Sequence, residues 1–192
     1  ESKRRGLDEL EKRQPSFDER AFQEKVTIAF FKIQEAWSKQ DLSEVRRFIS
    51  DGIWQRFHTQ FLLMKRMGQV NRLSNITIKD YAIELCECDG GFDIIHVRIS
   101  ASMNDSFVCT KNSYFSSGGF ETFTEFWSFI SKGNTQRGKN IYGTDQCPAC
   151  GGALGHQLGE IAKCPYCDVH INKGEYDWVL AEITQAEDWA RR

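Results

Sequence analysis

The sequence predicts an α+β domain in which N-terminal helices pack on one strongly curved antiparallel sheet, with a cysteine-bearing insertion between the last two strands. Three observations carry this. Apolar residues recur at helical spacing up to about Met67, they alternate after Asn71, and two C-x-x-C pairs fall between the final two strand-like runs.

The 192 residues are 40% hydrophobic and 27% charged, with a net charge of -2. That is the make-up of a soluble domain with one core. The balance argues against nucleic-acid binding through overall charge and leaves only a local basic face to consider. No apolar run is long enough to span a bilayer. Because residue 1 is Glu rather than Met, the chain reads as a fragment, and an upstream anchor would lie outside it.

Residues 1–14 are almost wholly polar, mixing Lys3, Arg4 and Arg5 with Asp8, Glu9 and Glu11, and read as a solvated extension. Pro15 and Ser16 open a helix, with Glu19 at capping-box spacing from Ser16. Phe22, Val26, Ala29, Phe30, Ile33 and Trp37 then form its apolar face. Asp41 and Glu44 repeat the capping pattern for a short helix carrying Leu42, Val45, Phe48 and Ile49. A third helix runs from about Gly52 to Met67, stopped by Gly68.

The alternating segment starts with Ile76 and Ile78 on one parity and Tyr81, Ile83 and Leu85 on the other. That switch near Lys79-Asp80 predicts a bulge. Asp89-Gly90-Gly91 marks a hairpin turn. The next strand sets Ile95, Val97, Ile99 and Ala101 against His96, Arg98 and Ser100. Residues 103–120 read as a loop, Glu121 to Ile130 as the third strand, and Tyr176 to Ile183 as the fourth.

Between those last strands stand Cys147, Cys150, Cys164 and Cys167. Two close thiol pairs can surround one tetrahedral ion, and Pro148 and Pro165 stiffen both turns. Two disulfides are the alternative, but they need an oxidising compartment and leave one of seven cysteines unpaired. Cys86, Cys88 and Cys109 lie in or beside strand-like runs and read as small core residues. Zinc is favoured over iron because nothing else in the chain points to redox work, although Cys-Pro-x-Cys turns hold either metal. His156 and His170 flank the array as reserve ligands or its surroundings. A closed four-thiolate site has no open position for an activated water, so its role is structural. Reduced thiols place the chain in the cytoplasm or on the cytoplasmic face of a membrane.

Several phrases in order resemble the Tim44-like domain. They are Phe30-Phe31-Lys32-Ile33-Gln34-Glu35-Ala36-Trp37, Asp41-Leu42, Phe48-Ile49-Ser50-Asp51-Gly52, Glu125-Phe126-Trp127-Ser128-Phe129, and Asp177 through Ile183. The resemblance spans about residues 17–130 and 174–187. It implies a cone-shaped fold of the nuclear-transport-factor-two class, with an apolar pocket between helices and sheet, used as a tether or scaffold at membrane surfaces. Mitochondrial members lack the cysteine insertion, which points to a bacterial relative. No catalytic residue carries over from the family. The expected organisation is a charged extension over 1–14, a cone over 15–130 plus 174–187, and a zinc ribbon inserted over 131–173.

Four functional readings follow. The first is a non-catalytic scaffold binding a protein, a lipid or another apolar ligand in the cone pocket, near a membrane surface. The second is a cone-fold enzyme using His96, Asp93, Tyr81 or Glu125 in the pocket, or His58 on the third helix; no spacing names a partner for any of them. The third is rubredoxin-like electron transfer at an iron-loaded cysteine site. The fourth, nucleic-acid binding, is disfavoured, because Arg137, Lys139, Lys163 and Lys173 around the array are opposed by Glu160, Asp168 and Glu175. Tyr166 at the knuckle tip either contacts a partner or covers the metal.

Overall fold

A computed structural model describes residues 4–133, 140–156 and 158–191. Lys3, Arg137 and Lys139 lie outside the described residues. In chain order the elements are α1 (Leu7–Arg13), α2 (Glu19–Lys39), α3 (Asp51–Met67), β1 (Gln69–Asp89), β2 (Phe92–Cys109), β3 (Ser117–Lys132), β4 (Val179–Gln185) and α4 (Ala186–Trp189). The four strands form one antiparallel sheet in the order β1-β2-β3-β4, so it is bent but not closed.

The helical stripe of α2 is buried as its spacing requires. Phe22, Val26, Ala29, Phe30, Ile33 and Ala36 all face the sheet. Phe22 meets Phe129 edge-on at 5.5 Å, and Phe30 tilts against Trp127 at 5.5 Å. On the sheet, Ile95, Val97, Ile99 and Ala101 face the helix, and Ile83, Trp127, Phe129 and Leu180 join them from the other strands. Trp37 closes one end of this core by packing edge-on to Phe57 and Phe61 of α3. No helix among the described residues is long and apolar enough to cross a membrane.

Turn chemistry sets the joints. Gly68 ends α3 in the left-handed conformation, and Gly90 and Gly91 make a two-residue hairpin turn with φ of 56° and 83°. The register shifts between Ile78 and Asp80, where the sequence changes parity, and again between Ser74 and Thr77 and between Ile83 and Leu85. Such irregularities help bend the long first strand over the helices.

The structure corrects several local readings. The N-cap of α2 is Asp18, not Ser16. Its carboxylate accepts from the Ala21 amide at 3.0 Å, while Ser16 lies in the turn from α1. Residues 43–48 form successive turns rather than a helix, because the chain must extend by Ile49 to bridge Leu180 of β4. Residues 103–109 are strand rather than loop. Asn104, Asp105 and Ser106 look loop-like in sequence, but β1 and β3 pair with them on both sides. The fourth strand starts at Val179, since Asp177 is drawn instead to Lys25 and to the amide of Ile141.

The charged N-terminal run is also not merely solvated. Leu10 is fully buried, Arg13 and Gln14 reach Asp93 at 2.6 and 2.5 Å, and the Cys86 amide donates to Arg5. Gly6 passes so close to the Cys86 carbonyl that a Cβ there would collide with it. Within the segment expected as insertion, Ile141 and Tyr142 pack in the larger core. Tyr142 stacks on Phe48 at 4.7 Å and donates to the Trp178 carbonyl at 2.5 Å.

Candidate metal centre

Two knuckles of the same design carry the four cysteines. In the first, the Cys147 amide donates to the Gly152 carbonyl at 2.8 Å and the Gly151 amide to the Cys147 carbonyl at 2.9 Å. In the second, the Cys164 amide donates to Val169 at 2.9 Å and the Asp168 amide to Cys164 at 3.0 Å. Each turn needs a left-handed residue four places after its first cysteine. Gly151 supplies one with φ 77°, and Asp168 the other with φ 64°. Asp168 is further held by Lys163 at 2.9 Å.

These turns aim backbone N–H groups at sulfur. Ala149, Gly152 and Tyr166 amides lie 3.4 Å from the Sγ atoms of Cys147, Cys150 and Cys164 respectively. The four Sγ atoms lie within 4.8 Å of one another. Cys147 and Cys167 approach to 3.7 Å, as do Cys150 and Cys164. Four bonds of about 2.3 Å to a tetrahedral ion put neighbouring sulfurs about 3.8 Å apart. The donor set therefore fits a four-thiolate metal site, and all seven cysteines are free thiols.

Electrostatics points the same way. Burial pushes the Cys147 thiol up. At Cys164 burial is outweighed by amide donors from Cys167 and Tyr166, which bring it down to about 7. At Cys167 the Val169 amide lowers the value, yet burial and the three neighbouring thiols push it up to about 12. Four sulfurs this close can all ionise only with a cation among them.

Neither nearby histidine joins the cluster. His156 meets the Ser43 hydroxyl at 3.2 Å, and among the described residues only the four cysteines converge. Tyr166 is exposed on its outer side while its ring presses on Gly152, where a Cβ would stand 2.5 Å from it. Lys163 and Lys173 are paired with Asp168 and Asp51.

A second feature is a cleft of about 610 Å³ between α2, α3 and the sheet. Ile33, Trp37, Phe57, Leu73, Met103 and Trp127 supply its apolar surface. Asp105, Glu125, Glu182 and Asp188 place four carboxylates around it, against Arg56 as the one cation among the described residues that line it. Glu125 accepts from Trp127 Nε1 at 2.9 Å and Gln185 Nε2 at 2.8 Å; Glu182 pairs with Arg56, and Asp105 accepts from Asn71.

Of the sequence candidates for acid–base work, only Glu125 faces this cleft. His96 lies on the opposite face of the sheet, between Ser128 Oγ and Glu87 Oε2 and beneath Trp189. Asp93 is bound by Arg13 and Gln14, burial pushes the Tyr81 hydroxyl above its ordinary range, and His58 stacks on Trp54.

Arg46 is a structural residue that sequence reasoning missed. It is fully buried at the joint between ribbon and cone. It donates to the ribbon carbonyls of Gly159 and Glu160 at 2.7 and 2.8 Å, to Ile49 at 3.2 Å, and to Asp51 at 2.5 Å. Asn172 and Lys173 return from the ribbon to the same Asp51. Its only signal was the pair Arg46-Arg47 set among Leu42, Val45, Phe48 and Ile49.

Fold and site together define a helix-covered, bent antiparallel sheet carrying a four-thiolate insert. The chain belongs to the Tim44-like domain family, whose model matches residues 3–142. The match thus includes the N-terminal run and ends before the cysteines, and residues 174–187 lie outside it. No individual curated protein matches the sequence. Among solved structures, the crystal structure of the intermembrane space region of the chloroplast protein ARC6 aligns at a TM-score of 0.44. It shares 11% identity over 60% of this chain and 88% of that one.

Proposed function

We propose that this protein is a non-catalytic binding scaffold, working near a membrane surface, whose ribbon is held by one structural zinc. The observation that carries the reading is the cleft. It is apolar inside and polar at its rim, the form of a site that takes up a protein segment, a lipid or another apolar ligand. All four of its carboxylates are engaged by neighbouring side chains, Asp188 by Arg191 at 3.8 Å, and no histidine is among the described residues that line it. Such groups orient a ligand rather than pass protons. Family membership supports the scaffold role and its place at a membrane. When bound, zinc would neutralise the thiolates of Cys147, Cys150, Cys164 and Cys167 and hold a unit too small to form its own core.

The test is native mass spectrometry with metal analysis on protein purified without chelator. The expected result is one zinc per chain, no visible absorption, and a co-purified or added apolar ligand that Leu73→Trp displaces. Iron with visible bands would replace the structural reading with electron transfer. Ligand binding unchanged in Leu73→Trp would remove the cleft from the argument.

A further inference from the structure

The cleft holds negative charge that the fold does not balance. The inward row of β2 runs through Ile95, Val97, Ile99, Ala101 and Met103, all buried, and the pleat turns its next member, Asp105, the same way. On β3, Glu125 shares the inward row with the buried Trp127 and Phe129. Two half-buried carboxylates thus stand in apolar rows. Of the other acids lining the cleft, Glu182 has Arg56 and Asp188 has Arg191. Asp105 and Glu125 have neutral donors only: Asn71 for the first, Trp127 and Gln185 for the second. Amide and indole N–H groups occupy lone pairs and leave the charge in place.

Gln34 is an independent observation. It lines the same cleft from α2 and is 9% exposed, and among the described residues its side-chain amide has no hydrogen-bond partner. A buried amide left unbonded destabilises the fold that holds it. Its place on α2 relates it to both acids. Phe30, one turn before it, packs on Trp127, whose Nε1 donates to Glu125. Ser38, one turn after it, accepts from the Leu73 amide at 3.2 Å, and Leu73 pairs with Asp105. From Phe30 to Ser38 is about 12 Å of helix, with Gln34 at its midpoint.

We propose that the cleft binds a linear aliphatic polyamine, an inference that rests on the cleft being the binding site and names the class of its ligand. Terminal ammonium groups meet Asp105 and Glu125, a central nitrogen donates to the Gln34 carbonyl oxygen, and the methylene stretches lie along Trp37, Phe57 and Leu73. An ammonium brings donors and no acceptor, which matches two carboxylates and an amide oxygen. A volume of about 610 Å³ suits a small molecule. An uncharged apolar ligand would bury both carboxylates and the amide without answering them.

The experiment is isothermal titration calorimetry of the full chain with spermidine, and with octanediol, which keeps an apolar chain and lacks the charge. Wild type is expected to bind spermidine at physiological salt about tenfold more tightly than octanediol. Asp105→Asn and Glu125→Gln keep an oxygen for the neutral donors, and each should weaken spermidine binding about tenfold. Gln34→Leu should weaken it about fivefold and raise the melting temperature of the empty protein, because an unanswered amide is removed. A lower melting temperature with binding unchanged would make Gln34 structural and overturn its role. Equal binding of octanediol and spermidine, both displaced by Leu73→Trp, would overturn the proposal and keep the cleft reading. Spermidine bound equally by wild type, Asp105→Asn and Glu125→Gln would lie on other acids of the chain, which also overturns it. Binding of neither compound overturns it and leaves the cleft to a protein segment or a lipid.

Discussion

The cone and the ribbon solve the same problem by different means. The cone hides a continuous apolar core running from Leu10 on α1 through α2 and all four strands to Leu180. Among the described residues the ribbon buries only Leu154, Leu158, Ala162 and Ile171 beside two of its own thiols, Cys147 and Cys164. Apolar area sustains the first, whereas the second is below the size at which area suffices. Between them lies a seam that is neither apolar nor metallic. It is a charged joint centred on Arg46 and Asp51. The chain thus joins apolar area and a charged joint with a four-thiol cluster that can hold a metal ion, three features with separate sensitivities to solvent, pH and metal.

The largest effect expected is from the metal. Chelation, or Cys150→Ser, should erase amide protection across the ribbon while the central strands β2 and β3 stay protected, since apparent binding energies at such sites reach about 10–16 kcal/mol. Hydrogen exchange with mass spectrometry reads this directly. Equal loss of protection in ribbon and cone would merge the two regions into one.

Next comes the core. Phe30 is fully buried, touching Trp127 and Phe31, and Phe30→Ala should cost the cone about 3–5 kcal/mol in a denaturant titration. A metal held by the four thiols should be retained under native conditions. Metal release in step with that destabilisation would show the ribbon depends on the cone's core as well as on its own thiolates.

The seam follows. Arg46→Ala leaves the Gly159 and Glu160 carbonyls without their side-chain donor and takes one of three donors from Asp51, and should cost about 3 kcal/mol. Both regions should lose stability together in that variant. A shift confined to one of them would contradict the joint.

The smallest effect is a pH dependence. Burial pushes the Asp51 carboxyl up, but Lys173, Arg46 and Asn172 outweigh it and hold it well below the usual carboxylate range. A depressed carboxylate contributes stability that is complete above its unfolded value, near pH 4, and is lost as pH falls towards the folded value. Wild type should therefore exceed Asp51→Asn at neutral pH, with the gap narrowing below about pH 4. A gap that stayed constant down to strongly acidic pH would mean that Asp51 acts by shape alone.

These contrasts also explain what the sequence disclosed. Periodic burial is written in residue type, so the stripe from Phe22 to Ala36 and the inward face of β2 were legible, as was the parity switch near Asp80. The cysteine spacing was legible because four thiolates at that separation have few other uses. Features decided by partners were not. Asn104, Asp105 and Ser106 become strand only because strands lie on both sides. Leu7 and Leu10 are two apolar residues in a charged run, too few to announce that α1 docks. The burial of Arg46 could not be foreseen, because three of its four acceptors are main-chain carbonyls, which every residue has. Trp189 gave no periodic signal, yet it stacks on Phe126 at 4.5 Å and covers His96.

Arg46 also has a consequence for descent. A guanidinium buried against carbonyls of an insertion becomes a liability once that insertion is lost, for no water replaces Gly159 and Glu160 without the joint opening. The four cysteines and the arginine should therefore be inherited as a set: lineages that discard the ribbon should replace position 46 with a smaller or apolar residue. A ribbonless relative that keeps this arginine buried would show that the joint came first and the ribbon was fitted to it.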